Sequence, residues 1–180
     1  MKGVIKESIQ EFVETRFGRD VWQEVMTHAG CTEPVLSVCD DYTDELNSEL
    51  IKALASISGM PAEDVLVEFG KFWVLNVGPE VHPAYYSLAG NAPRDFLLNL
   101  NWIHKQAHWD ESRTAATRFE FEELSDGRLL IHFHSKGGLC SVLRGQILGV
   151  GIHCDCALKV RETACREKGE PHCTMEVIIP

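Results

Sequence analysis

No run in this chain approaches the roughly 18 consecutive apolar residues of a membrane-crossing helix. Met1, Lys2 and Gly3 lead straight into an amphipathic pattern instead of a signal sequence. Both absences predict a cytoplasmic protein without membrane insertion, and Lys2 stands where N-myristoylation needs glycine. Basic residues are in deficit: 17 Lys and Arg against 27 Asp and Glu give a net charge of −10. That balance argues against nucleic acid or an anionic lipid surface as partner, since both attract basic patches. A nucleophile elbow, a phosphate loop and a recognisable paired-carboxylate spacing are also missing, so the chain is not read as an enzyme. Cysteine is not paired off either. Seven is an odd count, which in a reducing compartment favours metal or redox chemistry over a disulfide framework.

What is present suffices for one well-buried core: 180 residues, 44% of them apolar. The expectation is a single domain over 1–180, helical in 1–112 and sheet-bearing in 113–180. Val4, Ile5, Ile9, Phe12, Val13 and Phe17 recur with helical period up to Gly18, and Asp20 opens a second helix that carries Val21, Trp22, Val25 and Met26 to Gly30. Residues 31–42 read as loop or a short extended piece. A third helix runs from Thr43 through Leu46, Leu50, Ile51, Leu54 and Ile57 to Gly59, and Pro61 opens a fourth with Val65, Leu66, Phe69, Phe72, Trp73 and Leu75. Gly78, Pro79 and Pro83 predict a break, followed by a short helix around Tyr85, Tyr86 and Leu88.

Beyond residue 112 the period changes from helical to alternating. Arg118 to Glu122 and Leu129 to Phe133 flank the turn signal Ser125, Asp126, Gly127, so 117–135 reads as a hairpin. Leu139 to Ile152 reads as a helix despite three glycines. Ala157–Glu162 and Thr174–Ile179 read as strands joined through Gly169, Glu170 and Pro171. Helices first and an antiparallel sheet last make an α+β architecture.

The stretch Pro93 to Trp109, PRDFLLNLNWIHKQAHW, reads as one helix with Asn91 as cap and Pro93 and Asp95 in its first turn. Phe96, Leu97, Leu100, Ile103, His104 and Ala107 then share a stripe, so an imidazole points where the core residues point. It is either a satisfied core histidine or a ligand. With His108 four residues on, a zinc half-site is a further reading. His132 and His134 share a face of the hairpin and form a candidate metal pair, or are partly exposed strand residues.

Several local sequences resemble the heme nitric oxide/oxygen binding (H-NOX) family: MKGVIKESIQEFV, DVWQEV, MPAEDVLVEFGKFW, NLNWIHKQ, LLIHFHS and ETACREKGEPHC. The resemblance runs over essentially the whole chain. It implies a helical part packed on a sheet-bearing part with b-type haem between them, and His104 as the axial iron ligand. It also implies a two-state switch, in which nitric oxide releases His104 and the moved helix is read by a histidine kinase or cyclase.

The chain departs from the family's Tyr-x-Ser-x-Arg propionate clamp, because the matching positions are Phe133, Ser135 and Gly137. An Arg–carboxylate pair contributes about 1.5–3 kcal/mol, so its loss weakens haem binding by about one to two orders of magnitude. Lys136 and His134 are the candidate substitutes. The proline that bends the family's haem is Thr117 here. Candidates for lining the slot are Val4, Ile5, Ile9, Phe72, Trp73, Leu97, Leu100, Phe133, Val142 and Leu143, each equally readable as core. Val142 stands where oxygen-binding relatives place a tyrosine, which points to nitric oxide or carbon monoxide in preference to dioxygen. The degraded clamp leaves a second reading, a haem-free relative whose slot holds a fatty acid or similar lipid.

Some H-NOX relatives hold zinc with three cysteines and a histidine. Cys140, Cys165 and Cys173 match the three cysteines, and Glu162 stands in the histidine's place. Cys154, Cys156, His153 and His172 are alternative fourth ligands. A third reading of the chain is therefore a zinc-thiolate redox sensor, and its bland counterpart is a set of buried free thiols.

Overall fold

The computed structural model describes residues 2–31, 44–100, 118–134 and 139–180, with the side chains of 2–6 and 44–45 outside that description. The chain forms two compact units, Met1–Phe69 and Gly70–Pro180.

The first unit holds α1 (Lys2–Phe17), α2 (Arg19–His28), α3 (Asp44–Ser58) and most of α4 (Ala62–Phe72). The expected stop at Gly18 is a joint with φ 98°, a value that favours glycine, and its N–H donates back to Val13 and Glu14 at 3.2 and 3.1 Å. The predicted apolar stripes are the buried ones: Ile9, Phe12 and Val13 on α1, Trp22, Val25 and Met26 on α2, Leu50, Ile51 and Leu54 on α3. Phe12 meets Phe17 and Phe69 edge to face, with ring centres 5.9 and 5.7 Å apart.

At Gly78 and Pro79 the structure corrects the expected break. Helix α4 runs on as a π-helical turn, Trp73–Val77, and then as α5 (Gly78–Val81) before α6 (Pro83–Ala89). In a π turn each carbonyl reaches five residues ahead. Trp73 finds the Gly78 N–H, but Val74 faces Pro79, which has no hydrogen to give. Tyr86 supplies one, its hydroxyl donating to the Val74 oxygen at 2.6 Å. Gly78 makes room for it, since a Cβ there would fall 2.2 Å from Tyr86 Oη.

Helix α7 (Pro93–Leu98) starts from Ala92, not from the expected cap Asn91, with Pro93 in its first turn and Asp95 close behind. It closes at Asn99, whose backbone and side-chain amides both donate to the Asp95 carbonyl, at 3.1 and 2.8 Å. Asparagine competes for backbone acceptors in this way, so the unbroken helix read from sequence is interrupted there. Its continuation past Leu100 lies outside the described residues.

Strands β1 (Arg118–Glu123), β2 (Leu129–His134), β3 (Lys159–Ala164) and β4 (Cys173–Ile178) form one antiparallel sheet in the order β1-β2-β4-β3. Gly127 turns the hairpin with φ 85°, and Leu124 N–H bonds the Arg128 carbonyl at 2.9 Å. Phe119, Leu129, Ile131, Phe133, Met175 and Val177 join the core on the inner face with α8 (Cys140–His153) and the apolar sides of α6 and α7. The glycines of α8 permit close helix contact: Gly145 lies under Gly70, and a Cβ on Gly149 would meet Val74 at 3.0 Å. Arg94 ties α7 to the hairpin through Glu123 and the Gly127 carbonyl.

Candidate ligand and metal sites

The predicted slot residues separate on the coordinates. His104, Ser135 and Lys136 lie outside the described residues, as do the side chains of Val4 and Ile5. Ile9 belongs to the core of the first unit, and Phe72 is fully buried. Leu97, Leu100, Phe133 and Leu143 come together in one apolar cluster of the second unit. Trp73 is only partly buried, its ring 6.0 Å from that of His82. Val142 is also half-buried, and its carbonyl oxygen abuts Gly70. Phe133 stacks on Phe119 with centres 5.1 Å apart and is packed into apolar surroundings.

Strand alternation then sorts the neighbouring candidates. Phe133 pairs with Cys173 in the ladder and faces inward, so His134 and His132 face outward. His134 is therefore turned to the opposite face from Phe133.

Three thiols converge on the inner side. Cys140 opens α8, Cys173 opens β4, and Cys165 follows β3 at the start of the Arg166–Lys168 turn. All three are buried, at 6%, 3% and 5% exposure, and their sulfurs lie within 4.8 Å of one another. Cys140 and Cys173 are joined through their sulfurs, with Cα atoms 6.6 Å apart, and Cys165 Sγ is 4.0 Å from Cys140 Sγ. The Arg166 N–H donates to Cys173 Sγ at 3.4 Å. Zinc binds thiolate at about 2.3 Å, which puts two tetrahedral sulfurs about 3.8 Å apart; the Cys165–Cys140 separation matches that spacing, and the three residues fit the ion once the Cys140–Cys173 bond is reduced.

None of the expected fourth ligands joins that set. The Glu162 carboxylate is paired with Lys168 Nζ at 2.7 Å. His172 packs on the outer face against His132 and His134. His153 lies edge-on to Tyr86 and Phe96, with ring centres 5.2 and 5.5 Å away. Cys154 and Cys156 lie half-buried beyond the far end of α8, where burial and the neighbouring Cys156 push the Cys154 thiol pKa up. A raised pKa keeps it a thiol, which is a poor metal ligand.

The outer face was legible only in part. Its central strand, β4, is buried on both sides, and outward-facing Glu176 is held by Arg128 at 2.5 Å and Arg161 at 3.1 Å. At the other end His132 Nδ1 lies 3.0 Å from Thr174 Oγ1, and His172 stands 5.2 Å from His132 and 4.7 Å from His134, ring centre to ring centre. Sequence spacing gave the His132–His134 pair. It could not bring in His172, which is contributed by the bend preceding a different strand.

Comparison with known proteins supplies what the geometry alone does not. A family model described as Haem-NO-binding matches residues 2–162. Soluble guanylate cyclase gcy-33 of Caenorhabditis elegans is 24% identical over 149 residues, covering 82% of this chain and 16% of its own length. Soluble guanylate cyclase gcy-35 of the same organism is 26% identical, covering 82% and 22%. Soluble guanylate cyclase 89Da of Drosophila melanogaster is 22% identical, covering 83% and 23%. The chain thus spans about a fifth of the length of these curated relatives. Among solved structures, an H-NOX protein from S. oneidensis in the Fe(II)NO ligation state superposes with TM-score 0.84 at 17% identity, covering 100% of this chain and 99% of that one. A mutant of the T. tengcongensis H-NOX protein superposes with TM-score 0.85 at 19% identity, covering 99% and 97%. At such identities these superpositions establish the fold: a helical N-terminal part followed by a four-stranded antiparallel sheet.

Proposed function

The chain belongs to the haem-NO-binding family, and from that premise we propose that it is a sensor domain, not an enzyme, holding b-type haem through His104 and reading nitric oxide or carbon monoxide in preference to dioxygen. The observation that carries this is the family match over residues 2–162, which takes in His104 and the residues on both sides of it. Haem would supply an iron with one coordination position open to a diatomic gas. His104 would hold that iron. Leu97, Leu100, Phe133 and Leu143 would offer apolar surface to the macrocycle, and Ser135 and Lys136 would meet the propionates. Val142 has no hydrogen to donate, so it cannot favour bound dioxygen. Arg94 links α7 to the hairpin, so a displacement of the helical segment leading to His104 would be felt at the sheet, where a cyclase or histidine kinase partner could read it.

The test is optical. Full-length protein purified from haem-supplied cells should show a Soret band that His104→Gly abolishes. Colourless protein with lipid in its mass spectrum would overturn the haem reading in favour of a fatty-acid-binding relative.

A second reading is favoured by the three converging thiols. Zinc held by Cys140, Cys165 and Cys173 would make the same chain a thiol redox sensor. A peroxide would take two electrons from the Cys140 and Cys173 thiolates and be reduced to water or alcohol. The disulfide would form, zinc would leave, and Cys165 would remain a thiol. One equivalent of zinc in the reduced protein, lost in Cys173→Ala and on peroxide treatment, is the expected result. A metal content unchanged by both would exclude it.

A further inference from the structure

We propose that the outer face of the sheet carries a separate divalent-metal site built on His132, His134 and His172, selective for ions that prefer imidazole nitrogen. It depends neither on haem nor on the thiol cluster, which lies on the opposite side of β4.

The spacing of the rings is the first argument. A ligating imidazole nitrogen lies about 2.0–2.1 Å from the ion, so its ring centre lies about 3.2 Å away; two such centres are then about 5.2 Å apart at a tetrahedral angle and about 4.5 Å apart at a right angle. The centres of His132 and His172 are 5.2 Å apart and those of His134 and His172 4.7 Å. Two of the three ring pairs therefore already stand at separations a shared ion requires. Their nitrogens do not converge as the three sulfurs do, because the His132 and His172 rings meet at 90°. The χ2 torsions of His134 and His172 are broad, so those two rings can turn toward an ion while His132 stays held by Thr174.

The hydrogen bonding is the second argument. Metal-bound histidines commonly engage their other nitrogen with a protein partner that fixes ring orientation. His132 Nδ1 is held by Thr174 Oγ1 at 3.0 Å, which leaves Nε2 for the ion. His134 Nε2 is buried and has no hydrogen-bond partner among the described residues, an arrangement that is unfavourable unless something accepts its lone pair.

The charges on that face are the third. Glu122 Oε2 lies 3.6 Å from His132 Nε2 and is available as a fourth, oxygen ligand. Arg118 would repel a cation, but its guanidinium is taken by Glu120 at 2.5 Å. Three imidazoles and one carboxylate suit copper, nickel, cobalt or zinc, whereas the thiol cluster selects softer binding.

Cobalt(II) distinguishes the two sites, because thiolate ligation adds intense near-ultraviolet charge-transfer bands that imidazole ligation lacks. Chelator-stripped full-length protein should take up two equivalents, one with and one without those bands. His132→Ala combined with His134→Ala should lose the second equivalent and keep the first, and the near-isosteric His134→Gln should weaken it at least tenfold. Circular dichroism and the retained thiolate bands report folding, and His134→Gln decides the matter if the double variant unfolds. A wild-type protein that binds no cobalt outside the thiolate site, or a second equivalent unaltered in both variants, overturns the proposal.

Discussion

Gly70 lies so close to α8 that a Cβ built on it would fall 2.2 Å from the Val142 carbonyl oxygen and 2.9 Å from the Gln146 amide nitrogen. Both are backbone atoms, so no side chain can swing aside. Replacing a mid-helix glycine by alanine ordinarily stabilises by about 0.5–1 kcal/mol. Here the sign should reverse, with Gly70→Ala destabilising by about 1–3 kcal/mol as overpacking does. A urea midpoint that rises in the variant would refute the close contact.

The Tyr86 hydroxyl answers a carbonyl that Pro79 leaves unmet. Tyr86→Phe should therefore cost about 1–2 kcal/mol, the range for depriving a buried acceptor of its partner. Gly78→Ala should be less damaging in that background than in the wild type, because the hydroxyl it would strike at 2.2 Å is gone. Additive losses in a double-mutant cycle would separate the two residues.

His82 has its pKa lowered by burial from the ordinary 6.5. Folding then favours the neutral ring, and the unfolded chain takes up a proton first as pH falls. Its contribution is present above the ordinary pKa and is lost as pH drops from there through the folded-state value. Thermal midpoints of His82→Asn should show a shallower decline over that window than the wild type.

On the proposed haem reading, Phe133 and Gly137 take the places the resemblance gives to a phenol and a guanidinium. Restoring both with Phe133→Tyr and Gly137→Arg should tighten haem binding by about one to two orders of magnitude, measured by haem titration. Unchanged affinity would mean that Ser135 and Lys136 already do the clamp's work.

What was readable from sequence was what local chemistry decides. Gly18, Gly59, Gly127 and Gly169 each have positive φ, and each stands where the pattern placed a stop or a turn. Gly78 and Pro79 misled because the missing donor comes from Tyr86, on the next helix but one. Strand β4 was displaced by one residue because it is buried on both faces, which erases the alternation that sets register, whereas the two-residue displacement of β3, which does alternate, has no such explanation. The three cysteines of the inner cluster were legible by resemblance. The direction of His172 was not, since the bend at Pro171 and His172 and not any spacing decides which face it joins.

The approach of Gly70 to Gly145, and of Val74 to Gly149, has a dynamic consequence. Two helices in backbone contact have no layer of flexible side chains between them to act as lubricant. Small sliding adjustments are denied to the Gly70–Val74 stretch and α8, which travel together or else jump by a full step to the next set of grooves. If the chain works as the proposed sensor, such a ratchet would turn a faint chemical event into an all-or-none displacement.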